Sequence, residues 1–237
     1  MLYKILSALI QKQSDKWALK RFNLFLDLLK PAENSTILDL GGYNGKFFYK
    51  FQDMIKHIDL KIIIADIDKQ ALNIAKARGF ETLLLDETGI INLPDKSVDI
   101  VFCNSVIEHV TLPKENIWGC FDDKIFKEKS EIRQKSFADE IKRVGKKYFV
   151  QTPHVDFIID SHTWLPFMAK LSRRNLIKSL KFSNKFWVKK PSPDWNLLNE
   201  KQMNLFFPEA NEIMINRVLG LKKFFTTVSI SVEIIFF

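Results

Sequence analysis

Cysteine is scarce in this chain of 237 residues, which has only Cys103 and Cys120. Two thiols cannot build a disulfide framework, and they fit a reducing, cytoplasmic setting. There is no CxxC pair and no close His/Cys cluster, which argues against a structural zinc site. No apolar run is long enough to cross a bilayer, and no internal repeat or low-complexity tract interrupts the chain. A hydrophobic content of 46% with 27% charged residues describes an ordinary globular protein. The length suits one sizeable α/β domain and falls short of two full ones.

Charge is not scarce. The net charge is +8 with a pI of about 9.3, which raises the question of a nucleic-acid partner. The lysines are spread widely, however. Their clusters at Lys142–Lys147 and Lys178–Lys190 carry no motif that reads RNA or DNA. A solvated surface accounts for most of this charge, and nucleic acid is not the expected partner. At the N-terminus Leu2, Ile5, Leu6, Leu9 and Ile10 recur at helical spacing. Packing on the domain is the first explanation for that stripe, and peripheral membrane contact is the alternative.

Strand-like runs at Thr36–Leu40, Lys61–Ala65, Glu81–Leu85, Val98–Cys103 and Lys147–Gln151 alternate with helical patterns. The helices are expected at Lys46–His57, Lys69–Arg78 and Ser130–Val144. Such alternation predicts an α/β, Rossmann-like, doubly wound and mostly parallel sheet with helices on both faces. One domain is expected over 1–237. It comprises an N-terminal helical segment (1–35), a cofactor-binding core (36–152), an irregular aromatic-rich lid or substrate segment (153–212) and C-terminal strands (213–237). The last stretch, Phe224–Phe237, reads as one strand or two short joined ones.

Ligands of open α/β sheets bind beyond the carboxyl ends of the strands. This chain places an acid there three times, at Asp39, Asp66 and Asp86. A single aspartate often only caps a helix or starts a loop. Three on successive strands, beside the turn Gly41-Gly42-Tyr43-Asn44-Gly45, suggest one shared site.

A pyrophosphate would want close glycines and no nearby carboxylate. Here the turn follows Asp39 and does not fit G-x-G-x-x-G, and no Walker loop is present. S-adenosylmethionine fits the charge better, because it carries an ammonium and a sulfonium against one carboxylate. Asp39 is expected to complement the ammonium, and the N–H groups of the Gly41–Gly45 turn and of the following helix start to hold the carboxylate. Asp66, about 20 residues beyond the turn, is placed for the ribose hydroxyls. Asp86 is placed for the adenine amino group. Ile67, Glu87, Asn104 and Ser105 flank these positions and complete the expected cofactor site. A residue with a side chain, Tyr43, is tolerable in this turn only if it points away from the ligand.

These residues resemble a known family. ILDLGGYNG, IIIADIDKQALNIAKARG and LPDKSVDIVFCNSVIEHV are similar to class I S-adenosylmethionine-dependent methyltransferases of the type 11 group, whose fourth strand is followed by a Glu-His pair. The resemblance covers about residues 36–152 and implies a seven-stranded sheet whose last strand runs antiparallel. QTPHVDFIIDSHTWLPF also resembles a subgroup reading roughly TPNRxFPIExHTxxPF, and RVLGLKKFFTTVSI resembles that subgroup's ending. Tyr43 and Asn44 depart from the pattern of the first loop. His154, Val155 and Asp160 depart from that of the subgroup.

Methyl transfer needs alignment more than acid–base machinery, and a base only if the nucleophile must lose a proton. Glu108 and His109 follow the fourth strand, and His109 is the first candidate for an acceptor-facing acid/base or orienting residue. His154, after the fifth strand, is a further candidate. The series His154, Asp156, Asp160, His162 matches no trusted metal motif, and no metal is expected from it. Trp164, Phe167, Trp187 and Trp195 are expected mainly in a small core beneath the 153–212 segment, with a substrate lid as the alternative.

The expected activity is methylation of a small-molecule, glycan or lipid-linked acceptor, with the glycan option resting on the subgroup resemblance alone. The alternatives are a non-catalytic binding module on the same fold and a nucleic-acid methyltransferase. The acceptor atom and the oligomeric state are not legible.

Overall fold

In a computed structural model that describes residues 2–156, 158–210, 212–218 and 221–229, helices and strands alternate through most of the chain. The order is α1 (Leu2–Leu29), β1 (Thr36–Leu40), α2 (Lys46–Tyr49), α3 (Gln52–Ile58), β2 (Lys61–Asp66), α4 (Lys69–Ala77), β3 (Glu81–Leu84) and β4 (Val98–Asn104). There follow α5 (Lys114–Ile117), α6 (Asp123–Val144), β5 (Gly145–Pro153), α7 (Arg173–Ser183), α8 (Glu200–Phe206), β6 (Glu212–Val218) and β7 (Leu221–Ser229).

The strands lie in the order β3-β2-β1-β4-β5-β7-β6. The first five are parallel, whereas β7 runs antiparallel to both β5 and β6. The α/β, Rossmann-like class expected from the alternation is the class observed. The strand order reverses beside β1, which places a crevice between the β1 and β4 ends, where ligands of such sheets bind.

The inner parallel strands β1, β2, β4 and β5 carry apolar residues on both sides because helices cover both faces. Ile37, Ile62, Ile64, Ile100, Phe102 and Phe149 face α1 to α4. Leu38, Leu40, Val101, Cys103 and Val150 face α6 and α8. Side chains alternate along a strand, so Asp39 and Asp66 lie on the same face as Ile37 and Ile64, under the first loop.

That face is filled largely by phenylalanine. Ala18, Phe22, Phe25 and Leu29 are buried at helical spacing on α1. Phe22 stacks on Phe51 at 4.3 Å. Phe25 meets Phe102 edge-on at 5.3 Å, and Phe102 lies parallel to its cross-strand neighbour Phe149 at 5.2 Å. Offset and edge-on rings of this kind add to burial by about 0.5–1.5 kcal/mol per pair. The side chains of Leu2, Ile5, Leu6, Leu9 and Ile10 lie outside the described ones, as do residues 230–237 of the apolar C-terminus.

Several expected boundaries move for local reasons. The helix expected over Lys46–His57 is two, because Phe51 adopts φ −117, ψ 20 between them. Helix α6 starts well before Ser130, where the Asp122 side chain caps it by accepting from Ile125 N–H. The 153–212 segment holds α7, α8 and a small core of Met168, Leu176, Leu180 and Trp195. Arg173 ties this segment down. It is buried, donates to the carbonyls of Ile117, Cys120 and Pro193, and lies 3.6 Å over the Phe126 ring. Removal from water lowers its pKa to about 10.

Phe102→Ala should lower the unfolding free energy by about 3–5 kcal/mol. Phe182→Ala, at a site 66% exposed, should change it by less than about 0.5 kcal/mol. Urea unfolding of the two variants measures both values.

Candidate functional site

The β1 strand delivers Asp39 into the interior, where it is 3% exposed. Its Oδ2 is buried without a hydrogen-bond partner. Gly42 lies directly over that oxygen, and a Cβ built there would come within 2.4 Å of it. Gly41, at φ +74, approaches Val106, just after β4, so closely that a Cβ would stand 2.4 Å from its side chain. Neither position has room for a side chain. Gly45 is tight against Phe80 and Ile64, away from the ligand side, so its role is packing.

The second acid holds the loop in place. Asp66 Oδ2 accepts the Tyr43 N–H at 2.7 Å, and Oδ1 accepts the Asp68 N–H at 2.9 Å. Arg78 clamps the next residue, donating to Asn44 O at 2.6 Å and Asn44 Oδ1 at 2.8 Å. Tyr43 therefore sits at φ 51, a backbone costing a non-glycine residue of order 1 kcal/mol or more. Its ring is 55% exposed. Ser105, after β4, is held at φ 56 by its N–H bond to Gln151 O.

Between these loops opens a cavity of about 350 Å³, within the usual range of small-molecule sites, roughly 300–1,000 Å³. Gly41, Tyr43, Asp66, Ile67 and Ser105 line it, with Asp86, Glu87 and His109 farther round. Tyr43 borders this space and is itself 55% exposed. Asp39, Gly42, Gly45 and Asn104 do not line it, and of these Asp39 stands directly beneath the loop, under Gly42. Sequence reasoning missed the opposite wall, Arg133 and Phe137 of α6. They are four residues apart, so they share one helix face, which was the available signal.

One expectation is corrected. Four of the turn's five N–H groups, all but that of Asn44, are engaged within the protein and are not free to hold a carboxylate. Gly41 and Gly42 both donate to Ala65 O, Tyr43 donates to Asp66, and Gly45 donates to Gly42 O. The β1–β2 ladder runs on into the turn and engages them.

Glu108 is wholly buried, and its Oε2 accepts from Thr152 Oγ1 at 2.9 Å. His109 reaches the cavity, with Nδ1 3.4 Å from Asp194 Oδ1. Burial disfavours its charged form, but Asp194, Glu108 and Asp160 outweigh that, so its pKa stands above the usual histidine value. His154 is buried behind the wall and does not line the cavity. Its Nδ1 accepts the Asp156 N–H at 2.9 Å, and it forms a bridge with Leu198. Trp195 is in the small core, as expected, whereas Trp164 and Phe167 are exposed.

Residues 38–123 match the family described as Methyltransferase domain. Over that stretch, 86 of the chain's 237 residues, the sequence is similar to a methyltransferase domain. Solved structures agree with this in fold. The methyltransferase solved with the Haloferax volcanii Trm112 activator is 13% identical over 91% of this chain and 96% of its own, with a TM-score of 0.52. The cyclopropane synthase MmaA2 from Mycobacterium tuberculosis is 15% identical over 84% of this chain and 61% of its own, with a TM-score of 0.53. A SAM-dependent methyltransferase from Archaeoglobus fulgidus is 12% identical over 88% and 90%, with a TM-score of 0.50. No curated protein matches.

S-adenosylmethionine is the cofactor that such a domain uses, and the donor set fits it. A cationic ligand suits a cavity lined by Asp66, with the unpartnered Asp39 oxygen buried behind the loop. The close glycines leave room for it to approach.

Burial and the neighbouring Asp66 push the Asp39 carboxyl up to about pKa 8. An unfolded chain ionises it near 4, so the folded protein holds an extra proton between about pH 4 and 8. Stability should therefore fall as pH rises through that window and level off above it. Asp39→Asn should remove that part of the slope, as read from urea midpoints at about pH 5, 7 and 9.

Proposed function

We propose that the methyltransferase domain binds S-adenosylmethionine across the β1, β2 and β4 strand ends and passes its methyl group to a small-molecule, glycan or lipid-linked acceptor. The observation that carries this reading is the pair of buried acids beneath an open, largely apolar cavity. When bound, the cofactor supplies a methyl group on a sulfonium, already a good leaving group, so the protein's task is alignment and exclusion of water.

The residues divide that task. Asp66 keeps a free lone pair on each oxygen after accepting two N–H groups, and these receive the ribose hydroxyls. Asp86, whose Oδ1 orders the next turn by accepting from Thr88 N–H at 2.9 Å, takes the adenine amino group. Ile67 and Phe137 cover the base. Asp39 acts from beneath the loop through its charge, which a cation overhead stabilises. Gly41 and Ser105 border the methionine end. His109 orients the acceptor at the far side, steadied by Asp194. Glu108 and His154 act behind it, without touching the cavity. Residues 153–212, bolted on by Arg173, support the acceptor side through Asp194 beside His109, in what we take to be one domain.

The charge of the chain does not favour a nucleic-acid acceptor. On α6 the lysines are matched by acids one turn away, as in Lys124–Glu128, Lys127–Glu131 and Lys135–Asp139. Among the described residues no helix is long and apolar enough to cross a membrane, so a lipid-linked acceptor would be met at a surface.

Calorimetric titration with S-adenosylmethionine tests the reading. Wild type should bind saturably, and Asp66→Ala should lose at least about tenfold in affinity, through the ribose contacts and the loop anchor together. Tyr43→Ala should stay within about threefold, because the Tyr43 N–H rather than its ring meets Asp66. Wild-type affinity in a folded Asp66→Ala protein would contradict the assignment.

A further inference from the structure

We infer that Glu108, His109 and His162 form a binding site for a divalent transition-metal ion at the acceptor end of the cavity. The three come from two separate places, adjacent Glu108 and His109 from the turn after β4 and His162 from the segment after β5. One donor atom from each nevertheless lies within 4.8 Å of the others.

The strongest observation is an unsatisfied carboxylate. Glu108 is 0% exposed. Thr152 satisfies its Oε2, but Oε1 is buried with no hydrogen-bond partner. A buried carboxyl oxygen left without a partner is unfavourable, and a bound cation would give it one.

The two imidazoles are held as metal ligands usually are. His162 Nδ1 lies 2.9 Å from Asp160 Oδ1, and Asp160 is fixed in turn by Thr163, whose N–H and Oγ1 both stand 2.7 Å from Oδ2. His109 Nδ1 faces Asp194. In both rings a carboxylate engages Nδ1 and leaves Nε2 for a ligand, the arrangement that fixes tautomer and orientation at metal centres. The planes are fixed too. His162 lies flat on Trp195 at 4.5 Å and meets His109 edge-on at 4.8 Å.

Two imidazoles and one carboxylate suit zinc, cobalt, manganese or iron(II) better than magnesium or calcium, which prefer oxygen donors. Three protein ligands leave coordination positions open. Because His109 also lines the cavity, an acceptor oxygen can take one of them. That last role rests on the methyl-transfer reading, whereas ion binding does not. The ligands differ from the His154, Asp156, Asp160, His162 series in sequence. Only His162 of that series is a ligand, with Asp160 behind it.

The test uses the full chain stripped with EDTA, without cofactor. Titration with Co2+, followed by visible absorption, and with Zn2+, followed by calorimetry, should show one saturable site per chain. Glu108→Gln and His162→Gln should each weaken it by at least about tenfold, and His57→Gln, on the exposed face of α3, should leave it unchanged. Should a variant fail to fold, the wild-type protein still decides. The chain has four histidines, and Co2+ should shift the ring signals of His109 and His162 in 15N spectra while sparing His57. No saturable binding, undiminished binding in both folded variants, or ring shifts elsewhere would overturn the site. Cofactor binding is measured separately, so either reading can fail alone.

Discussion

Two carboxylates at the ends of neighbouring strands have to be accommodated without an ion-pair partner among the described residues. Asp39 and Asp66 share one face of the sheet, and their mutual repulsion in a dry setting pushes the more buried one toward its protonated form. The loop above them is shaped by that demand. Gly42 leaves Asp39 the space it occupies, and the Tyr43 N–H turns down to Asp66. The cavity lies over two carboxyl groups, and a cation nearby would favour the ionised form of the more buried one. Charge in this site follows from the fold, because a parallel sheet directs its strand ends, and the acids on them, to one edge.

The rest of the architecture keeps that edge rigid. Stacked and edge-on phenylalanines lock α1 to β4 and β5, so the ends of β1 and β4 cannot drift apart. Gln151 links the layers, accepting from Arg21 of α1 and donating to Thr226 of β7. Its backbone carbonyl also fixes Ser105 at the cavity. One residue of β5 thus connects the helical face, the antiparallel edge and the site.

Local signals made much of this legible in the sequence. The strand runs, the acids ending them and the glycine turn are each written in a few adjacent residues. What stayed hidden needs distant partners. The engagement of the turn's N–H groups by Ala65 and Asp66 depends on the register of β1 against β2. The Arg133–Phe137 wall depends on where α6 crosses the sheet. The meeting of His162 with Glu108 and His109 depends on the fold of the whole 153–195 segment, with Trp195 and Asp194 closing over it. Tyr43 is the instructive case. The sequence raised the question of its ring, and the answer lay in a backbone angle, set by one hydrogen bond from the next strand.

The central claim is that the acid-lined cavity is a cofactor site with a defined orientation. The most direct measurement is a crystal structure with S-adenosylhomocysteine bound. The account predicts the ribose on Asp66, the adenine against Ile67 and Asp86, and the sulfur turned toward His109. A ligand bound elsewhere, or a Tyr43 ring folded into the cavity in its place, would contradict it.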